Sequence, residues 1–173
     1  DATFIARSMD RDPKHLREML VRAEAHRGTS LLEIYQNCNV FNDGAFEVFT
    51  EKKSKPDNTI FVEHGKPLIF AGGTKGIKLD GMTPIAVDLS NGASAADLWV
   101  HDERDGYKAS ILVRIFEDPR KEGALPRPFG VFYVNDRATN ETKLNAQLAL
   151  AKEKKGVGDL DALLRGEHMW SIK

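Results

Sequence analysis

The sequence has a single cysteine, Cys38, which excludes an internal disulfide and any zinc site built on several thiolates. It has no run of roughly 20 apolar residues, the length that a membrane helix needs, and it does not open with the basic-then-apolar pattern of a signal peptide. An excess of one charge is missing too, since 25 Lys and Arg residues offset 26 Asp and Glu residues. These absences predict a cytoplasmic protein with neither nucleic acid nor a membrane as partner.

The composition and the first residues indicate what the chain can fold into. Of its 173 residues 41% are hydrophobic, which is enough for the core of one domain. There is no initiator Met, and an apolar run typical of a strand starts at Ala2. Because a strand so close to a terminus needs neighbours for its backbone groups, we expect a further N-terminal portion to precede it.

The first 36 residues have the pattern strand, helix, strand. A strand-like run at residues 2–7 is followed by Asp12, which can cap a helix, and by Pro13, which suits the first helical turn. Gly28 is placed to end that helix in a left-handed conformation, and residues 30–36 predict a second strand. Such a βαβ unit implies a parallel sheet, and two strands alone cannot bury its faces.

Beyond about residue 50 the pattern changes to short, mixed elements after a charged loop at residues 52–58, where we expect a boundary. Strands are predicted at residues 60–63, 67–70, 85–89 and 129–134, the first two joined by a hairpin turn at 64–66. Helices are predicted at residues 94–100, 108–117, 140–155 and 159–164, and a strand or extended tail at 169–172. The mixture predicts an α+β region.

Cys38 is the residue most suited to a chemical role, and the sequence around it leaves three interpretations open. It follows the carboxyl end of a predicted parallel strand, which is where open α/β sheets bind ligands. The thiol could be a metal ligand, a nucleophile or a small buried side chain, and spacing alone favours the last. A nucleophile would need a histidine partner in space, from among His15, His26, His64, His101 and His168.

Three other motifs favour structural roles. The ligand-like side chains of residues 101–103 would diverge by about 100° per residue on a helix, so they would not converge on one ion. The glycine-rich segment 72–76 lacks the spacing and the following helix of a phosphate loop, which makes a turn the better interpretation. The lysines of residues 152–155 suit the carboxyl end of a helix.

The run from Gly28 to Phe46 closely resembles the β subunits of 2-oxoacid:ferredoxin oxidoreductases, above all the branch that uses 2-oxoglutarate. The most specific part of this run is Gln36-Asn37-Cys38-Asn39-Val40-Phe41-Asn42. Similarity at residues 2–7, 12–16, 63–68, 75–81 and 98–103 extends the resemblance over nearly the whole chain.

This resemblance implies an enzyme in which thiamine diphosphate, bound with Mg²⁺, attacks the keto carbon of a 2-oxoacid, and the acyl group passes to coenzyme A. Electrons then leave for ferredoxin through a [4Fe-4S] cluster, in a complex with an α subunit. Cys38 matches the fourth thiolate ligand of that cluster. Asn37, Asn39 and Phe41 would lie around the cluster, and the asparagines resemble the 2-oxoglutarate branch. The resemblance assigns no catalytic residue to this chain.

The sequence departs from the family in what it lacks. The Cys-Pro-x-Cys segment, another upstream cysteine and the Gly-Asp-Gly motif for diphosphate and magnesium are absent. The resemblance therefore implies a C-terminal portion of the β subunit. Residues 1–49 would be the end βαβ unit of the thiamine-diphosphate-binding α/β domain, and residues 50–173 an α+β extension. We expect such a chain to bind none of these cofactors alone, and to depend on the missing N-terminal half and the α subunit.

Two alternatives to a 2-oxoglutarate enzyme stay open at this point. A β subunit of this family could serve pyruvate or another 2-oxoacid. A scaffold or assembly protein could have retained the fold and lost the chemistry, with Cys38 merely buried.

Overall fold

The chain begins with the strand–helix–strand unit that its sequence predicts. The computed structural model describes residues 2–92, 94–167, 170 and 172, and the chain divides after Arg137 into two units. Strands β1 (Phe4–Met9) and β2 (Ser30–Tyr35) pair in parallel, and helix α1 (Pro13–Ala25) connects them. Asp12 caps α1, since its Oδ1 accepts a hydrogen bond from the backbone N–H of His15 at 3.2 Å.

Gly28 does not end α1 as the sequence predicts. The helix ends at His26, whose φ of −72° and ψ of 129° are extended. Gly28, at φ +146°, instead lies against β1, where a Cβ would stand 2.4 Å from Oγ1 of Thr3. A larger residue is therefore excluded by close approach to the neighbouring strand.

Strands from the later sequence complete the first sheet, whose order is β2-β1-β7-β3. Strand β7 (Arg127–Val134) is antiparallel to β1, and β3 (Thr59–Val62) is parallel to β7. A short helix, α2 (Glu47–Thr50), precedes the segment predicted as a charged loop, and a second, α3 (Lys55–Asn58), forms within it. The sheet is therefore mixed, and both sides of the expected boundary contribute to it. The assignment of residues 1–49 to one domain of a longer protein and of residues 50–173 to its extension stays a prediction.

A second sheet is antiparallel and contains β4 (Ile69–Phe70), β5 (Lys75–Asp80) and β6 (Thr83–Asp88) in that order. The predicted hairpin of residues 60–63 with 67–70 is wrong, because β3 pairs with β7 and β4 pairs with β5. The sequence pattern does not predict strand β5. Gly76 lies where β5 approaches Leu98 closely, since a Cβ there would stand 2.5 Å from the Leu98 side chain.

The predicted helix at residues 94–100 is also wrong. Only a 3-10 turn forms, at Ala95–Asp97, and the chain then extends. The backbone of Trp99 donates to the carbonyl of Ile77 at 2.8 Å and accepts from Leu68 at 2.9 Å. These bonds to the second sheet take the place of helical ones. Helix α4 (Gly106–Arg114) confirms the next predicted helix, although it ends earlier.

The first unit has its core on both faces of the first sheet. The α1 face buries Phe4, Ala6, Met19 and Val131. The larger cluster includes Ile60, Ile77, Leu112 and Phe132. At the β2 edge, however, Leu31 and Ile34 are 55% and 42% exposed, and Leu20 and Val21 of α1 are about half exposed or more. As expected, the βαβ unit leaves apolar surface uncovered.

The second unit contains α5 (Asn140–Lys155) and α6 (Leu160–Arg165), which confirm both predicted helices. Side chains cap their first turns, with Thr139 accepting from the N–H of Thr142 and Asp159 from that of Ala162. No described residue of this unit is buried. The strand or tail predicted at residues 169–172 lies largely outside the described residues.

Candidate functional site

An aromatic cluster at the end of β2 supports the segment that carries the candidate site. Tyr35 is its centre, and we call the group the Tyr35 cluster: Arg7, Tyr35, Phe46, Phe49, Phe116, Arg127 and Phe129. The ring centroids of Phe46 and Phe129 lie 4.5 and 5.4 Å from that of Tyr35. Nη1 of Arg127 donates to the Tyr35 hydroxyl at 2.7 Å. Burial raises the pKa of Tyr35 despite the nearby guanidiniums of Arg7 and Arg127, so its hydroxyl stays protonated.

The segment that follows, residues 36–44, is the Cys38 loop, and Asn37 holds it together. The Asn37 side chain donates to Oδ1 of Asn39 and of Asp43, each at 2.9 Å. It also accepts the backbone N–H of Gly44 at 2.9 Å, and the N–H of Asn42 donates to the Cys38 carbonyl at the same distance. Gly44 adopts a φ of +74°, which glycine permits without strain.

The Cys38 thiol lies half-buried in this loop. Hydrogen bonding by the backbone N–H groups of Phe41 and Val40 lowers the pKa of the thiol, whereas burial and the Asp43 carboxylate oppose that change. A lowered pKa makes the thiolate easier to form, and the thiolate is the form of cysteine that binds metals. The side chains of Val40 and Phe41 beside it are 80% and 89% exposed.

The described histidines do not pair with this thiol. Their ring nitrogens bond elsewhere: His15 with Ser8, His26 with Thr3, His64 with the N–H of Glu103, and His101 with the carbonyl of Val131. His168 lies outside the described residues. The nucleophile interpretation of Cys38 therefore gains no support from the part of the chain that the structure describes.

Metal ligands do not converge on Cys38 either. Within residues 2–92 and 94–167, no group of three or more His, Cys, Asp or Glu side chains is arranged to hold an ion. His101 is buried, Asp102 accepts from the N–H of Arg104 at 2.9 Å, and Glu103 forms a bidentate pair with Arg22 at 3.0 and 2.7 Å. These three neighbours diverge, as predicted, although they do so from an extended segment rather than a helix.

The remaining sequence candidates have structural roles. The glycine-rich segment forms a turn, with Gly72 at φ +64°, and leads into strand β5 rather than a helix. The lysines of residues 152–155 lie in the last turn of α5, as predicted. Sequence reasoning misses the buried guanidiniums of Arg7 and Arg127, and the signal available is an arginine within the apolar run of β1.

A groove of about 720 Å³ lies between α1 and the end of β3. Its charged side chains are largely paired within the protein. Arg22 binds Glu103 at 2.7 Å, and Arg104 binds Asp136 at 3.2 Å. Burial lowers the pKa of His15 at the groove wall, so this side chain is neutral near pH 7. The lining has four carboxylates, those of Glu18, Glu63, Glu103 and Asp136, against two guanidiniums, so the groove carries a negative charge.

One further structural finding concerns membranes. None of the helices among the described residues combines the length and the apolar character needed to span a bilayer.

The structure defines a mixed α/β protein with a free thiol in the loop that follows a parallel strand, and comparison with known proteins identifies its relatives. No family model matches the chain. The structure resembles 2-oxoglutarate:ferredoxin oxidoreductase from Magnetococcus marinus, solved with 2-oxoglutarate, coenzyme A and succinyl-CoA bound. The TM-score is 0.51 at 19% identity, over 94% of this chain and 39% of that one. At this identity, the likeness shows the fold.

Sequence comparison with curated proteins also finds subunits of such oxidoreductases. The 2-oxoglutarate oxidoreductase subunit KorB of Mycobacterium tuberculosis (strain ATCC 25618 / H37Rv) is 30% identical over 178 aligned residues, 99% of this chain and 46% of KorB. The 2-oxoacid:ferredoxin oxidoreductase subunit beta of Saccharolobus solfataricus is 33% identical over 51 residues, 30% of this chain and 17% of that protein. Its counterpart in Sulfolobus sp. is 42% identical over 41 residues, 24% of this chain and 13% of that protein.

These comparisons confirm the resemblance seen in the sequence. The chain is a relative of the β subunits of 2-oxoacid:ferredoxin oxidoreductases, and it spans about half the length of KorB.

Proposed function

We propose that the chain is the C-terminal portion of the β subunit of a cytoplasmic 2-oxoglutarate:ferredoxin oxidoreductase. The reaction converts a 2-oxoacid and coenzyme A into an acyl-CoA and CO₂, and two electrons go to ferredoxin. The observation that carries the proposal is the KorB match over 99% of the chain, together with Cys38 in the loop that follows a parallel strand. The asparagines on either side of Cys38 favour 2-oxoglutarate over pyruvate.

The residues at Cys38 fit one of the four thiolate positions of a [4Fe-4S] cluster. The pKa of the Cys38 thiol is lowered, and the backbone N–H groups of Phe41 and Val40 contribute to that change. Hydrogen bonds to cluster sulfurs are a usual feature of such sites. When bound, the cluster would transfer electrons one at a time. In our proposal Cys38 holds one iron, Asn37 keeps the loop closed, and Asn39 and Phe41 line its surroundings.

The other parts of the reaction belong, in this proposal, to the rest of the complex. We assign no residue of this chain to thiamine diphosphate or Mg²⁺, which the N-terminal half of the β subunit would bind. That half and the α subunit would complete the substrate and coenzyme A sites. The half-exposed Leu31 and Ile34 on the edge strand β2 support a covering segment, since apolar side chains on a free edge favour association.

A turnover assay tests this function. The complex purified from its source would be supplied with coenzyme A, a viologen dye as electron acceptor, and either 2-oxoglutarate or pyruvate. We expect dye reduction with 2-oxoglutarate to exceed that with pyruvate in kcat/KM. A preference for pyruvate would move the chain to another branch, and the absence of turnover with any 2-oxoacid would support a scaffold role instead.

A further inference from the structure

Two arginines of the Tyr35 cluster are buried to an unusual degree. The residues Arg7 and Arg127 are only 4% and 6% exposed. The guanidinium carbons lie 5.5 and 5.9 Å from the centroid of the Tyr35 ring, so both charges border the same aromatic side chain. Buried arginine is rare unless it is paired, because removing a charge from water costs several kcal/mol.

Among the described residues, one carboxylate pairs with these two guanidiniums, and it belongs to Glu33. Nε of Arg7 donates to Oε2 of Glu33 at 2.6 Å, and its Nη1 donates to the carbonyl of Pro128 at 3.2 Å. Arg127 donates to two neutral oxygens, the Tyr35 hydroxyl at 2.7 Å and the Glu117 carbonyl at 3.0 Å. Among the described residues no carboxylate lies within ion-pair distance of Arg127. The cluster therefore holds a net positive charge.

Several aromatic rings pack against the two guanidiniums, and Phe116 is the most exposed of them. The ring centroid of Phe116 lies 3.8 Å from the Arg127 guanidinium carbon and 5.7 Å from that of Arg7. Phe116 is itself 57% exposed, and it lies in the irregular segment between α4 and β7. Because Phe116 lies outside the helices and strands, its ring can move without breaking either.

The location is one where a ligand is expected. Arg127 opens β7, which runs antiparallel to β1, so it lies near the carboxyl ends of β1 and β2. Ligands of α/β sheets bind at that end. A guanidinium recognises a carboxylate or a phosphate through paired N–H donors, and a second guanidinium strengthens the attraction.

We propose that Arg7 and Arg127 form a binding site for an oxyanion, a carboxylate or a phosphate group, with Phe116 as its cover. The anion would neutralise the surplus positive charge. It would also accept hydrogen bonds from guanidinium N–H groups that now donate only to neutral oxygens. The inference does not depend on the proposed iron site, because none of its residues lies in the Cys38 loop.

The test is anion binding by the 173-residue chain at constant ionic strength, with chloride replacing each anion in the reference sample. The two probes are inorganic phosphate and succinate. Comparing them shows whether the site prefers a phosphate group or a carboxylate. At a hundredfold excess over its Kd, a preferred anion should raise the apparent Tm by about 5 to 10 °C.

Variants assign that shift to Arg127. Arg127→Gln should abolish it, whereas Arg104→Gln should retain it, because the Arg104 side chain is 67% exposed and pairs with Asp136. Phe116→Ala should also retain it, since the guanidiniums remain. If Arg127→Gln does not fold, the Nε–H resonance of Arg127 in the parent should shift and saturate with the same anion. No shift in the parent with millimolar phosphate or succinate, or an equal shift in Arg127→Gln, would overturn the inference.

Discussion

The Tyr35 cluster and the Cys38 loop adjoin each other in the sequence, but they differ in burial and in how far apart in the sequence their contacting residues lie. The cluster is buried and is assembled from distant parts of the chain, since Tyr35 bonds to Arg127 from 92 residues away. The loop is mostly exposed, and its hydrogen bonds join residues no more than seven positions apart. The iron site proposed in the loop is therefore separable from the stability of the fold. Changes in the cluster should affect folding, and changes in the loop should affect the site.

The largest effect is expected for Phe129→Ala in the cluster. Phe129 is fully buried and contacts both Tyr35 and Phe61, so truncation removes apolar burial and leaves a cavity. We expect a loss of about 3–5 kcal/mol in the free energy of unfolding, measured by urea denaturation. The control is Phe41→Ala in the loop, where 89% exposure predicts a change within about 0.5 kcal/mol. Equal losses in the two variants would remove the distinction between cluster and loop.

A smaller loss is expected for Tyr35→Phe, which keeps the ring and removes the hydroxyl that accepts from Arg127. Leaving a buried guanidinium donor unpaired costs about 1–3 kcal/mol. Urea denaturation would compare it with Tyr107→Phe, a change at an 85% exposed ring that should be close to neutral. If Tyr35→Phe were also neutral, the Arg127 bond would contribute nothing to the fold.

Acid should destabilise the buried part of the molecule through His101. Burial lowers the pKa of this side chain below its usual 6.5, so the unfolded chain binds more protons between the lowered value and 6.5. The free energy of unfolding should therefore fall as the pH decreases below about 6.5, by at most about 1.4 kcal/mol for each decrease of one in pH. Urea denaturation across this range should show a flatter profile for His101→Gln. An unchanged profile would exclude His101 as the source.

The smallest stability effect is expected within the loop, for Asn37→Ala. It removes three exposed hydrogen bonds and should cost no more than about 0.5–1.5 kcal/mol. Its clearest consequence should be faster hydrogen exchange at the Gly44 amide, which donates to Asn37 at 2.9 Å. Asn39→Ala, which removes one acceptor and leaves the Gly44 bond intact, is the matched control. Equal Gly44 exchange in the parent and in Asn37→Ala would show that the loop is held by other contacts.

The sequence could predict local structure because its signals are local. Asp12 and Pro13 mark the start of α1, and the strand-forming residues between Ser30 and Tyr35 mark β2. It could not predict strand partners, which depend on contacts between distant segments. The predicted hairpin at residues 64–66 is wrong for this reason. Strand β5 is not predicted because only Ile77 and Leu79 of its six residues are apolar.

The candidate site divides in the same way. Cys38 and its neighbours could be selected from the sequence, because the resemblance is carried by one continuous run. The N–H groups of Val40 and Phe41 that aim at its sulfur depend on how the loop folds. The pairing of Arg127 with Tyr35 depends on long-range assembly, and composition offers no sign of it.

The iron content of the intact complex with Cys38→Ala decides whether this thiol is a cluster ligand. One of four thiolate ligands is lost while the Tyr35 cluster is untouched, so the complex should assemble, and its iron and visible absorbance should fall steeply. Serine is a harder and less acidic donor than cysteine, so the iron content and the absorbance should fall less in Cys38→Ser than in Cys38→Ala. Unchanged iron, absorbance and ferredoxin reduction in Cys38→Ala would contradict the proposed role and leave Cys38 as an ordinary small side chain.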